Sequence, residues 1–560
     1  MTVPLAALAM PAVMDRVPTD AMVSIAIPNF EKLQKDVAGI ATLVGAPPQA
    51  VDSLMLMTGI EKGLKKDGAV ALVVMAIDPK THGAADAPMY VLVPTTDYAA
   101  LVGNFGVAPA GGDKLDSLMI QNEEVFAKNL GDGYAALAPS KAVLEKVSGK
   151  GGNIAAHKTL AGPVGDGLAD RSGLSIIVNM ALVRPLLEEG IQKQLEDMEG
   201  MMPPGPAGAN LEAMQALSKE FIEQSRCAVF GTTIDGLGIG LDMTLAFNDG
   251  SKLALACAKG GAATPLISKL PAMPYLAVLA MDLSNPAIRD AAKDIAKVQP
   301  QQEGAAGIMA KLGNEANDKI DGHATIVGVS PAGLMGGILT NSAGYTATKD
   351  AAAVALQPKA TLDALTAEKL ATGKFEEADI GGTKVNSYEM RLAADPGNPM
   401  AAQGMMMMFG PVGGPNGYLA AVDGGVVQTY SKNQALMASA LGAAKGEGTL
   451  AGDKLIQQVG EKLPPNRVAE VYLGSKGILD TVMPMMAMFM GVQVAVDVPP
   501  SLPPIGLALA PKEGTLQASI YVPSPVIKTF AEVAKQVQGP GGEGVDKPGT
   551  PKKGAGQPKF

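Results

Sequence analysis

The chain has 560 residues, 47% of them hydrophobic and 18% charged, so it is rich enough to bury cores and too long for one, since single cores stop growing at roughly 250–300 residues. Its net charge of −10 is modest, and its arginines (Arg16, Arg171, Arg184, Arg226, Arg289, Arg391 and Arg467) stand singly, which argues against the clustered, bidentate readout that nucleic acids favour. There is no Trp, and 31 Met stand against three His, so soft apolar filler is abundant and polar chemistry scarce.

The N-terminal stretch MTVPLAALAMPAVM is uncharged and contains Ala7-Leu8-Ala9, an A-x-A pattern of the kind that signal peptidases cut after, without a basic region before it. Residues 1–16 therefore read as the rear part of a secretory signal, with a plain apolar N-terminal arm as the alternative. The first unit begins with strand AMVSIAIP (21–28), runs through helical patterns to about residue 66, and gives two strands, AVALVVMAI and PMYVLVP. An aliphatic residue, Pro, then Asn, Thr or Ser recurs in SIAIPNF (24–30), MYVLVPTTD (89–97) and SIYVPSP (519–525). Proline ends a strand because it has no N–H for the ladder, and the next polar side chain can cap a helix. The motif reads as a strand-to-helix joint.

Residues 115–147 form a bridging unit, and a second β-α-β-β unit starts at GLSIIVN (173–179). In it, Asp235-Gly236 reads as a two-residue turn and Asn248-Asp249-Gly250 as a three-residue loop. This predicts a three-stranded meander from Cys227 to Cys257, with Leu245 opposite Leu253 and Met243 opposite Leu255. The cysteines then sit on outer strands, too far apart for a disulfide, and both are expected to be free.

The third unit has YLAVLAMDLSN (275–285), helices to about 318, and the hairpin HATIVGVSPAGLMGGILTN turning at Pro331 and Gly333. The fourth has VAEVYLG (468–474), a helix, and a hairpin turning at Lys512-Glu513-Gly514. Gly133-Tyr134-Ala135-Ala136 and Gly417-Tyr418-Leu419-Ala420-Ala421 link the two bridging units, each followed by a serine-lysine helix start. Helices follow strands while hairpins stay antiparallel, so the expected class is α+β: antiparallel sheets with helices, built from repeated β-α-β-β units in two pseudo-duplicated halves, 17–262 and 263–538. Residues 539–560, a Gly/Pro/Lys sequence, read as a flexible tail.

The motif search excludes most chemistry. No Walker-type phosphate loop is present, GLGIG (236–240) lies in a hairpin, and Ser330 sits in a poor match to a nucleophile elbow. His82, His157 and His323 have no partner at metal-ligand spacing and read as surface or strand-end residues, so no metal or cofactor is expected. The stretch 482–496 is too short and is interrupted by Gln493, so no transmembrane span is expected. The positive feature is methionine. Met405, Met406, Met407, Met408 and Phe409 stand in a Gly/Pro-rich stretch read as a loop; they are the candidate interaction surface, with a tucked-in plug as the alternative. Without Cys or His nearby, they match Cu(I) coordination poorly.

Val17-Pro18-Thr19-Asp20-Ala21, an apolar strand, and then Pro28-Asn29 resemble the openings of uncharacterised exported bacterial proteins classed as a domain of unknown function. The resemblance implies export and a repeated α+β fold, and supplies no activity or site. The expected function is a non-catalytic scaffold or assembly protein of the bacterial periplasm, envelope or cell surface, with self-association or an envelope partner. A carrier of a lipid or other apolar ligand between the two halves is the alternative, and a hydrolase with dispersed acidic residues the second alternative.

Overall fold

The structure is a computed structural model that describes residues 10–46, 60–77, 87–111, 114–148, 152–199, 215–216, 218–286, 288–290, 293, 304–330, 333–393, 399–490 and 496–538. Every strand pairing among them is antiparallel, and together they form one 19-stranded sheet. The protein is thus mixed α+β.

In the first half β1 (Ala21–Ile27), β2 (Val70–Met75), β3 (Met89–Pro94), β4 (Asp116–Ile120), β5 (Glu123–Gly131), β6 (Tyr134–Ala138), β7 (Leu174–Asn179), β8 (Ser225–Asp235) and β9 (Gly238–Phe247) lie in the order β4-β5-β6-β3-β2-β1-β7-β8-β9. In the second half are β10 (Tyr275–Asp282), β11 (Ile320–Gly328), β12 (Ser342–Thr348), β13 (Ala371–Ile380), β14 (Thr383–Leu392), β15 (Asn416–Val422), β16 (Gly425–Thr429), β17 (Ala469–Leu473), β18 (Ile505–Lys512) and β19 (Thr515–Pro523). These run β13-β14-β15-β16-β12-β11-β10-β17-β18-β19. β9 pairs with β19, from Thr515 opposite Ala246 to Pro523 opposite Gly238, and this seam joins the halves.

The two largest cores lie under helices on one face, and on the other face helices Lys252–Ala256, Ser475–Met490 and Ser524–Gln538 pack against the flanks. Helix Ile154–Arg171, broken at Gly162-Pro163, buries Ala161, Leu168 and Ala169 over β7 to β9 in a core with Val73, Tyr90, Ile177 and Val229. Helices Gln434–Ala444 and Lys454–Gly460 bury Met437, Leu441, Ile456 and Val459 in a second core with Val278, Ile326 and Tyr472. Asn29, Asn153, Asn433 and Asp453 cap their helices by accepting backbone N–H groups, which satisfies donors that have no partner inside a helix.

The joint reading holds for Pro28-Asn29. After Pro94 the cap is Asp97, not a threonine, and after Pro523 the helix starts at Ser524. The predicted meander fails. Ser251 caps a short helix, Lys252–Ala256, and Cys257 ends it, because β19 already holds the free edge of β9: Leu245 faces Leu516 and Met243 faces Ala518. The turn after Asp235 is Gly236-Leu237, since Asp235 pairs with Gly238. The β11–β12 loop is longer than expected, with the second strand starting only at Ser342. Tyr134 and Tyr418 are not matched: β6 pairs with β3, whereas β15 lies between β14 and β16 and does not pair with β12.

Candidate functional site

At the seam the helix-covered face mixes polar side chains with core residues, and the other face carries a partly exposed apolar strip. Residues directly opposite in an antiparallel pair share a face, as do residues two apart on one strand. Register places Gly231, Asp242, Ser519, Ala508, Glu470 and Ala280 in one line across β8, β9, β19, β18, β17 and β10. This line is on the helix-covered side.

Its polar members find partners at a helix end, on the neighbouring strand and in the loop before β17. Asp242 accepts from the Ser519 hydroxyl and lies 3.7 Å from Arg171 at the end of its helix. Glu470, fully buried, pairs with Arg467. The same guanidinium donates to the Tyr472 hydroxyl at 3.0 Å and to the Pro464 carbonyl at 2.6 Å, and Tyr472 donates to Glu470 at 2.9 Å. Burial, with the Glu470 charge adding, pushes the Tyr472 pKa far up, so the phenol stays a donor. A cavity of about 380 Å³ lies beside this polar line, walled by Arg171, Asp235, Asp242, Lys462, Gln517 and Tyr521. Lys462 stands 3.5 Å from Asp235 and over the Tyr521 ring.

The opposite face of the same strands is apolar. One row is Thr232, Leu241, Ile520, Leu507, Val471 and Leu279, and the next is Phe230, Met243, Ala518, Leu509, Ala469 and Met281. Its flanks pack against helices, Leu245 and Leu516 with Leu253 and Ala254, and Ile505 and Val522 with Leu479 and Val526; between them Phe230, Leu241, Ile520, Leu509, Leu279 and Met281 are each between 40% and 47% exposed. These residues went unread in the sequence. The available signal was the apolar character of both parities in strands such as IGLALA (505–510), but the partner strands that turn single residues into a strip lie far away in the chain.

Met405 to Phe409 end a helix, Pro399–Phe409, which corrects their reading as a loop. Met405 and Phe409 are half-buried, while Met406, Met407 and Met408 are 40% to 55% exposed. The helix end is held by backbone: Ile338 and Leu339 N–H groups donate to the carbonyls of Met407 and Met408 at 2.9 Å, and a side-chain carbon at Gly337 would stand 2.3 Å from the Gly410 nitrogen. This tight crossing needs glycine on both strands of chain. Separately, a cleft of about 1010 Å³ lies at the end of β10 and β17, walled by Met273, Tyr275, Leu450, Leu455 and Leu502 with Lys476 among its polar lining.

The remaining candidates carry structure. His82 lies outside the described residues. His157 is buried inside a helix, not before one, and bonds the Val17 carbonyl at 2.9 Å. His323 lies mid-strand between Thr325 and Thr346. Cys227 and Cys257 are free and buried; burial pushes their thiols up to about 12 and about 11, so neither is a nucleophile at neutral pH. Among the described residues no cluster of His, Cys, Asp and Glu is placed to hold a metal, and no helix is long and apolar enough to cross a membrane. Compared with protein-family models, curated proteins and solved structures, the chain matches none.

Proposed function

We propose that the protein is a non-catalytic carrier that holds a lipid or another apolar molecule against the exposed apolar strip of its sheet, across the seam between the halves. The observation that carries this reading is the strip of Phe230, Leu241, Ile520, Leu509, Leu279 and Met281. Full burial of such a side chain stabilises by roughly 1.5–3 kcal/mol, so each residue, left near half exposure, forgoes roughly 1 kcal/mol. An acyl chain laid along the strip recovers that term as binding energy. The carboxylates of the seam cavity favour no hydrolase: Asp242 and Asp235 are already engaged by Arg171, Ser519 and Lys462.

The test is displacement of a fluorescent fatty acid from the purified protein, with native mass spectrometry for co-purified lipid. Saturable binding is expected, weakened about tenfold, near 1.4 kcal/mol, in Leu241→Asn/Leu279→Asn/Ile520→Asn. Equal binding by that variant, or none by the parent, contradicts the reading. A second reading, self-association, rests on the exposed Met406, Met407 and Met408; it predicts multimers that a serine triple variant loses.

The halves are, in this reading, copies of one unit. In support, the order β3-β2-β1-β7-β8-β9 parallels β12-β11-β10-β17-β18-β19. Both β1 and β10 carry a register shift at their start. Asp132-Gly133 stands as far before Ser140-Lys141 as Asp423-Gly424 before Ser431-Lys432, which pairs Tyr134 with Gly425 instead of Tyr418. Export to the periplasm or cell surface of a bacterium belongs to the same proposal and rests on Ala7-Leu8-Ala9; a cut after Ala9 leaves Met10, Val13 and Met14, all core residues, in place. A native N-terminus at Met1 would contradict export.

A further inference from the structure

The first half holds a cavity of about 590 Å³ away from the seam, where the stretch before β1, the end of β2, the start of β3 and helix Lys141–Lys146 meet. Its apolar walls include Met75, Pro88, Val143 and Val147. Five polar side chains line it, Asp20, Tyr90, Ser140, Lys146 and Ser148. Tyr90 is 1% exposed, and its hydroxyl is buried with no hydrogen-bond partner. Burial, with the charge of Asp20 adding, raises its pKa far above an ordinary phenol, so it remains an O–H donor. Ser140 stands at the N-cap of the helix, yet its side chain makes no capping bond. Asp20 and Lys146, both exposed, form none of the ion pairs found among the described residues.

A buried hydroxyl left without a partner costs about 1–3 kcal/mol, and native proteins leave few such groups. Here the orphan belongs to a residue that lines a cavity of ligand size, with an uncommitted charge of each sign in the same lining. We propose that this cavity binds a short apolar peptide with free termini, of dipeptide size. The ammonium sits at Asp20, the carboxylate at Lys146 and Ser140, the peptide carbonyl accepts from Tyr90, and the side chains lie on Met75, Val143 and Val147. The site shares no residue with the seam strip, so its success or failure is independent of the carrier reading.

The test is calorimetric titration of the full chain with L-leucyl-L-leucine, its N-acetyl form and its C-terminal amide. Saturable binding of the free dipeptide is expected, with acetylation and amidation each weakening it at least fivefold. In Asp20→Asn the free dipeptide should weaken by a similar factor, and acetylation should then matter little; Lys146→Met should behave likewise toward amidation. Tyr90→Phe should weaken all three peptides alike while leaving the melting temperature unchanged or higher. No saturable binding up to about 10 mM, where even a Kd near 1 mM is detected, overturns the proposal. Equal binding of the blocked and free peptides overturns it as well.

Discussion

The two faces of the sheet at the seam differ in a way that the two faces of the first half do not. Around β1 and β7 the helix-covered side is conventional: Leu92, Ala71, Ala26, Tyr90, Val73 and Ile177 lie inside, with Ser24 and Ser175 the small polar exceptions. Across β8, β9, β19 and β17 the covered side sets Asp242, Ser519, Gln517 and Glu470 among core residues such as Val229, Ala246, Tyr472 and Tyr521, and the other side carries half-exposed Leu, Ile and Phe. Two pairings make the contrast concrete: Ser175 opposite Ala26 on β7, Glu470 opposite Ala280 on β17. The covered side thus still holds the hydrophobic cores, with charged groups set among them. Arg171, at the end of its helix, and Arg467, in the loop before β17, pair with the carboxylates of that side.

The largest effect should come from breaking the covered side. Arg467→Met leaves the Glu470 carboxylate buried without its cation, which costs about 3–5 kcal/mol in comparable pairs; Arg467→Met/Glu470→Gln should recover most of that loss in urea denaturation. A single variant as stable as the parent would show that Glu470 does not depend on Arg467.

The open side has a pH signature of intermediate size. His323 lies opposite Met281, at the end of the apolar row, and desolvation by burial lowers its pKa from the ordinary 6.5. The unfolded chain therefore takes up a proton near pH 6.5 that the folded chain refuses. Stability attributable to His323 is present above that pH and declines as pH falls toward its lower folded pKa, by at most about 1.4 kcal/mol per pH unit. His323→Gln should flatten this part of the profile between pH 7.5 and 5.5; an unchanged slope would mean that the imidazole is not desolvated.

The smallest effect is expected away from the seam. Because Met406, Met407 and Met408 are largely exposed, changing all three to serine should alter stability by less than about 1 kcal/mol in total, in the range usual for surface substitutions. A loss of several kcal/mol would make the helix end a buried plug.

Local features were legible in the sequence: the Asn29 cap, the hairpin at Glu513-Gly514, and free cysteines. What escaped was decided at long range. Five residues of KLALA fit a strand or a helix equally well; the Ser251 cap and the occupation of the β9 edge by a strand some 270 residues later decided for helix. The glycines and prolines around Met405 suggested a loop, but Pro399 opens a helix and methionine favours one. The right conclusion about the cysteines came from a wrong meander. The strip escaped because a single strand does not reveal which of its faces will be covered.

The most direct measurement is photo-crosslinking with a diazirine-bearing fatty acid, followed by peptide mapping of the labelled sites. Labels competed by unlabelled fatty acid should fall on 239–243, 507–509, 518–520 and 279–281, the strands of the open strip. Labels confined to the 399–409 helix or to the cleft around Met273 and Leu455, or no competed label at all, would contradict the seam as the ligand-bearing surface.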